Sequence, residues 1–259
     1  YAGWLADGKA NGNVRAAGAA LDTLVGIDEA GRASAQQSAL LYRVASYDAT
    51  RLAPLVRGLS GEVHAALAAA APQAGWDLER SVLKHGAAGD RRNENSALWI
   101  DITGNRGKWS ADDAASGFHA DRVQLTVGAD LLRDAGTRLG FGYSHARSDL
   151  DAVEGSGKLR QNKLFVYGEQ AVGGAVVDAI ASHGRDKADS QRADPFGGAA
   201  LGAHVDGKSS LLGLGLRSAS GVAGTSFAPF ARVTLQHAQR DAASETGASA
   251  AALALDSYS

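Results

Sequence analysis

The chain carries seven histidines and 28 acidic side chains but no cysteine, so metal or acid–base chemistry would have to come from imidazoles and carboxylates. Their spacing does not suit it. No HExxH pair sets two imidazoles on one helix face, and His119, His145 and His237 fall on separate alternating runs. These three read as polar positions near a membrane boundary or along a lumen. Asp112 with Asp113, and Asp149 with Asp151, lack the ligand spacing of a calcium loop and read as solvated turns. There is no GxSxG nucleophile elbow, and Ser60, between Leu59 and Gly61, reads as a helix N-cap rather than a nucleophile. No GxGxxG dinucleotide fingerprint occurs. The reading therefore names no catalytic residue, no metal site and no cofactor.

The more informative charges sit inside alternating runs. In VQLTVGADL, Val123, Leu125, Val127, Ala129 and Leu131 share one face, and Gln124, Thr126, Gly128 and Asp130 share the other. Lipid can take the first face and water the second. Farther on, Phe227, Ala231, Val233 and Leu235 face outward, opposite Arg232, Thr234, Gln236 and Arg240. Turning a basic side chain inward avoids about 2–4 kcal/mol at a bilayer midplane. Leu212, Leu214 and Leu216 alternate with Gly213 and Gly215 in the same way. Asp130, Arg232 and Arg240 are thus expected on an inner wall.

The elements that would position them have two textures, which meet near residues 86–96. Before that junction, Ala- and Leu-rich segments have helical spacing, as in VRAAGAALDTLV (14–25), SALLYRVASYD (38–48), the stretch from Ser60 to Pro72, and WDLERSVLKH (76–85). After it, about eight alternating strands follow at 97–104, 118–132, 137–150, 159–172, 175–190, 208–220, 226–241 and 250–259. DAG and VGG make tight turns between them, whereas ADDAASG, EGSG and DPFGGAALGAHVDG sit in longer connections. Several runs reach about ten residues, the length that crosses a bilayer, against about five or six in soluble proteins. No window of eighteen uncharged apolar residues offers a spanning helix. The net charge of −2 gives no basic excess to recruit nucleic acid. Methionine is absent and the chain opens on Tyr1, so we expect a longer precursor.

LSGEVHAALAAAA at 59–71, a short helical segment, a break and then ALWIDITGNRGKWSADDAASGFHADRVQLTVGADLLRDAGTRLGFGYSHARSDL form an ordered set. It resembles the junction and first strands of a classical (type Va) autotransporter translocator. Trp99, Gly107 with Trp109, Val127, Gly128 and Asp130 carry the likeness, followed by Arg138, Leu139, Gly140, Gly142, Tyr143, Ser144 and Asp149. LFVYGEQ and FAPFARVTLQHAQRDAASETGA resemble later strands, so the likeness spans about residues 40–259.

The resemblance implies an antiparallel transmembrane β-barrel in a Gram-negative outer membrane, with about eight of twelve strands present, preceded by a mainly α-helical linker. Residues 1–58 would be the end of the passenger or its stem, 59–95 the linker entering the barrel, and 96–259 the incomplete barrel. The implied partners are outer-membrane lipid, the chain's own passenger and the outer-membrane barrel assembly machinery. The implied role is anchoring and helping to secrete that passenger by type V secretion. We expect a helix between Ser60 and His85 in or at the mouth of the lumen, with Glu62, Arg80 and Lys84 meeting inward charges such as Arg232. Some members of the family cut themselves at Asn within the barrel, which draws attention to Asn93 and Asn95; an Asn-rich turn explains them as well. An outer-membrane adhesin or enzyme acting through its loops, notably 188–208, is the alternative.

Overall fold

The computed structural model describes residues 1–5, 10–88, 97–134, 136–219, 228–247 and 249–258. Five helices come first. Asn11 accepts the Val14 N–H to start α1 (Gly12–Glu29), and a reciprocal Ser34/Gln37 capping box starts α2 (Ala35–Ala45). Asp48 caps α3 (Ala49–Leu59), a helix the sequence reading does not contain. Pro54 lies inside it and reads as a helix breaker. Ser60 does not cap the next helix as expected. It ends α3, with both its N–H and its hydroxyl donated to the Arg57 carbonyl, and Gly61 turns the chain at φ 64° into α4 (Glu62–Ala70). Only glycine adopts that left-handed conformation without strain. After Pro72, α5 (Gln73–Ala88) follows. No described helix is long and apolar enough to cross a membrane.

Seven long strands form one antiparallel meander, each paired with the next in sequence: β1 (Leu98–Trp109), β2 (Phe118–Asp134), β3 (Thr137–Ala152), β4 (Gly155–Val172), β5 (Ala175–Arg192), β6 (Leu201–Ser218) and β7 (Phe230–Arg240). The expected eighth wall strand is not one. Within 250–259, Ala254–Leu255 (β9) pairs only with Ala243–Ser244 (β8), and Tyr258 bridges Arg240. The strands are also longer than their alternation suggested, because outward polar residues continue the ladder past the apolar part. Thus β6 begins at Leu201 rather than 208, and EGSG shrinks to a two-residue connection at 153–154. The supposed binding loop 188–208 is mostly ladder, leaving 193–200 as the connection.

Burial alternates along every wall strand. The outward set is apolar and open: Ile100 and Ile102 are 70% exposed, Leu164 68% and Val233 67%. A water-soluble surface would not hold so many large apolar side chains in one band, and a hydrocarbon-facing one requires them. Asp101 on β1 and Arg232 on β7 both reach α5, so the sheet curls around that helix. Among the described residues β1 and β7 do not pair with each other.

Three apolar clusters join the layers. Val63, Leu67 and Ala70 of α4 pack on Phe118, Leu150, Leu159 and Val205. Leu78 and Val82 of α5 pack on Phe165, Tyr167, Ile180 and Leu211. Helices α1–α3 form a cap whose core, including Val14, Leu41, Val44 and Val56, extends to Leu201 and Ala251 at one rim of the sheet.

Candidate functional site: a helix seated in a polar wall

The inward face of the strands is where chemistry is concentrated, and α5 is what it meets. Helical spacing sends Asp77, Glu79, Ser81 and His85 toward the wall and leaves Trp76, Arg80 and Lys84 exposed. Asp77, 3% exposed, accepts from Arg122 Nε at 2.8 Å and from Asn105 Nδ2 at 2.7 Å. Glu79 accepts from Arg232 Nε and from the Thr234 hydroxyl, each at 2.7 Å, while Arg232 donates its NH1 to Asp178. Asp101 takes the Ser81 hydroxyl at 2.7 Å and Lys84 Nζ at 2.6 Å. A helix carrying this much charge could not lie in lipid; inside a wall with opposite charges it has partners for nearly all of it.

The exit end of α5 is held by two groups. His85 stacks on Trp99 with ring centroids 4.7 Å apart, and its Nε2 lies 3.2 Å from both Asp130 oxygens. The Tyr167 hydroxyl donates to Asp130 at 2.5 Å and accepts from Trp99 Nε1 at 2.8 Å. A register shift between Asp130 and Leu132 marks a β-bulge beside this cluster. Trp99 fits because Gly128, its cross-strand neighbour, has no Cβ; one built there would meet the indole at 2.5 Å. Arg138 then donates to the His85 carbonyl at 3.2 Å and the Gly86 carbonyl at 2.9 Å, and pairs with Glu169. Carbonyls near a helix C-terminus lack intrahelical donors, and a guanidinium supplies them.

The other end lies under the cap. Glu62 does not meet Arg232: it accepts from Asn11 Nδ2 at 2.8 Å and from the Ser116 N–H at 3.2 Å, tying α4 to α1 and to the 110–117 connection. Gly12 and Asn13 donate their N–H groups to Asp113 and Ala114 at 2.6 and 2.9 Å. Arg240, 6% exposed, donates to the Leu67 carbonyl near the end of α4 at 3.1 Å.

Of the residues expected at this site, Asp130, Arg232 and Arg240 therefore face inward and bond helical segments, and Lys84 meets Asp101. Glu62, bound to Asn11 and Ser116, and Arg80 do not meet inward charges of the wall. Arg80 points away from the wall, 3.7 Å from Asp77 within its own helix. Asn93 and Asn95 lie outside the described residues. Glu79 and His85 escaped the sequence reading although they sit within its fourth helix. Glu79 lies on the side of α5 away from Asp77 and Ser81, where it meets Arg232 and Thr234 of β7, so it is the curl of the wall around the helix that gives it partners while Arg80 stays exposed.

His64 brings Ser190 and Glu245 together, with its ring nitrogens 3.4 Å from the Ser190 hydroxyl and 2.9 Å from Glu245. Glu245 is already bound by Arg192 through two hydrogen bonds, and Ser190 faces the Ala203 carbonyl at the same 3.4 Å. The contact is a structural junction. No group of metal-ligating side chains occurs among the described residues.

Three comparisons bear on this arrangement. The family model "Autotransporter beta-domain" matches residues 98–259. Among solved structures, the chain is similar to the translocator domain of the autotransporter NalP from Neisseria meningitidis, with a TM-score of 0.57 at 19% identity. That match covers 73% of this chain and 66% of the other. No curated protein matches in sequence.

Proposed function

Because the chain belongs to the autotransporter β-domain family, whose barrels reside in the outer membrane and are not themselves catalytic, we propose that it secretes a passenger attached before Tyr1 and holds it at the cell surface. The observation that carries this is the path of the chain. It runs from the cap through α4 and α5 along the inner wall, and only then becomes β1 at the opposite end. That course supports a passenger beyond the cap rim and a wall that lies in the membrane.

In this reading the polar pins on α5 keep the linker in the lumen after transport and so anchor the passenger. Outward apolar residues meet outer-membrane lipid, where strand pairing satisfies backbone groups that would otherwise cost several kcal/mol each. The barrel assembly machinery is the partner that would insert such a wall. In this reading residues 1–58 serve as the stem between passenger and linker, with α1–α3 packed on the rim.

The test is surface display. With a reporter domain fused ahead of Tyr1 in the complete protein, protease added to intact cells should remove the reporter. A reporter that stays protected in the periplasm while the barrel is correctly inserted would refute the reading.

A further inference from the structure

The outer surface of β3 to β6 changes character in the same order on each strand. Toward the exit end of α5 it is apolar: Leu139, Phe141 and Tyr143; Leu164 and Val166; Val177, Ala179 and Ala181; Leu212, Leu214 and Leu216. One polar position follows on each strand, namely His145, Asn162, His183 and Ser210; His145 bonds Asn162 and His183 bonds Ser210. Then comes a cation on each strand: Arg147, Arg160, Arg185 and Lys208. Lys158 and Lys187 continue on the same outer face.

The register makes these cations neighbours. Arg147 stands directly opposite Arg160, Arg160 opposite Lys187, and Arg185 opposite Lys208. Like charges in directly opposed positions destabilise a sheet. Arg147 and Arg160 are partly relieved by Asp149 and Asp189 on the side away from the apolar band. Lys158, Arg185, Lys187 and Lys208 make no ion pair among the described residues. A row of opposed cations just above a hydrocarbon-facing band is placed where a bilayer carries its phosphates.

We infer that this belt binds the phosphate groups of a phosphorylated glycolipid in the outer leaflet. The inference rests on the translocator reading, which puts the cap end, and hence the belt, on the outer side. Arg supplies paired N–H donors that match phosphate oxygens, and Lys supplies point charges. The apolar band below it would meet the acyl chains of the same lipid.

The experiment uses the complete protein in phosphatidylcholine vesicles containing bisphosphorylated lipid A, the same lipid dephosphorylated, or phosphatidylglycerol at equal charge. Retained lipid is counted by native mass spectrometry. Bisphosphorylated lipid A should be retained selectively, and each of R160Q, R185Q and K208Q should weaken retention roughly fivefold. These positions are outside the inner wall, so folding is checked separately by heat-modifiable mobility, and R160K with R185K should restore part of the retention. Equal retention of the dephosphorylated lipid, or no loss in the variants, would overturn the proposal, as would equal retention of phosphatidylglycerol. Passenger display is scored in parallel. Its failure in the unaltered protein would count against the secretion role and not against lipid retention.

Discussion

Arg192 and Glu245 share two hydrogen bonds of 2.6 Å, and each side chain is 1% exposed. The same guanidinium donates to the Gly58 and Ala251 carbonyls, also at 2.6 Å. One residue at the end of β5 thus joins the cap, the rim and the segment after β7. Burial by itself would raise the Glu245 carboxyl, but hydrogen bonds from His64, Arg192 and the Leu253 N–H bring it down to about 2, from an ordinary 4.5. A carboxyl lowered in the folded state stabilises fully above its unfolded value, and that contribution is lost as pH falls from about 4.5 toward 2. In E245Q the acid-dependent loss across that window should shrink, while stability at pH 7 falls by roughly 3–5 kcal/mol as Arg192 loses its anion. Urea midpoints measured against pH test both, and an unchanged acid slope would contradict the assignment.

The Glu79–Arg232–Asp178 group predicts an asymmetry. Replacing Glu79 with Gln leaves Arg232 its bond to Asp178 and should cost about 1–3 kcal/mol. Replacing Arg232 with Met strands two carboxylates facing each other and should cost about 3–5 kcal/mol. Equal losses of heat resistance in the two variants would show that the carboxylates do not depend on one cation.

Arg138 should set the order of the last turn of α5. Arg138→Lys keeps the charge but loses the fork that reaches two carbonyls, so amide exchange over residues 82–86 should speed up roughly tenfold, with residues 74–78 unaffected. Exchange that rises uniformly along α5 would assign Arg138 a general role in stability.

Cap docking can be trapped because the chain has no cysteine of its own. A Cβ built on Gly12 lies 3.2 Å from the Ala114 Cα and carbonyl oxygen, so the two segments touch and cysteines placed on them could cross-link once the backbone gives by a few tenths of an ångström. G12C/A114C should therefore cross-link without added catalyst in cells that display the passenger, and shift mobility on non-reducing gels. Absence of the cross-link in correctly displayed protein would mean that the cap does not rest on the 110–117 connection.

The wall was legible because a bilayer imposes period two on side-chain polarity: the split of Leu125 and Val127 from Gln124 and Thr126 is the split of exposure in the structure. Strand ends were harder, since past the apolar band the outward residues are charged. LGAHVDGK then looks like a loop although His204 faces Asp189 across the ladder at 2.6 Å. The inward placement of Asp130 and Arg232 follows from strand parity alone, whereas their partners depend on how α5 is rotated and seated. Its pairing with His85 and Glu79 is a property of two elements together. Pro54 hid α3 because local propensity argues against a helix that capping by Asp48 and the buried Leu52, Leu55 and Val56 sustain.

The pins along α5 behave as a vernier scale. Arg122, Arg232, Asp101 and Asp130 meet it at unequal intervals and with mixed sign, so a slide of one helical turn, about 5.4 Å, cannot bring one set of partners opposite another. Halfway positions offer unpaired buried charge instead of substitute bonds. The helix should accordingly leave its seat in a single abrupt step under load, and a pulling experiment on the stem should record one rupture rather than a staircase.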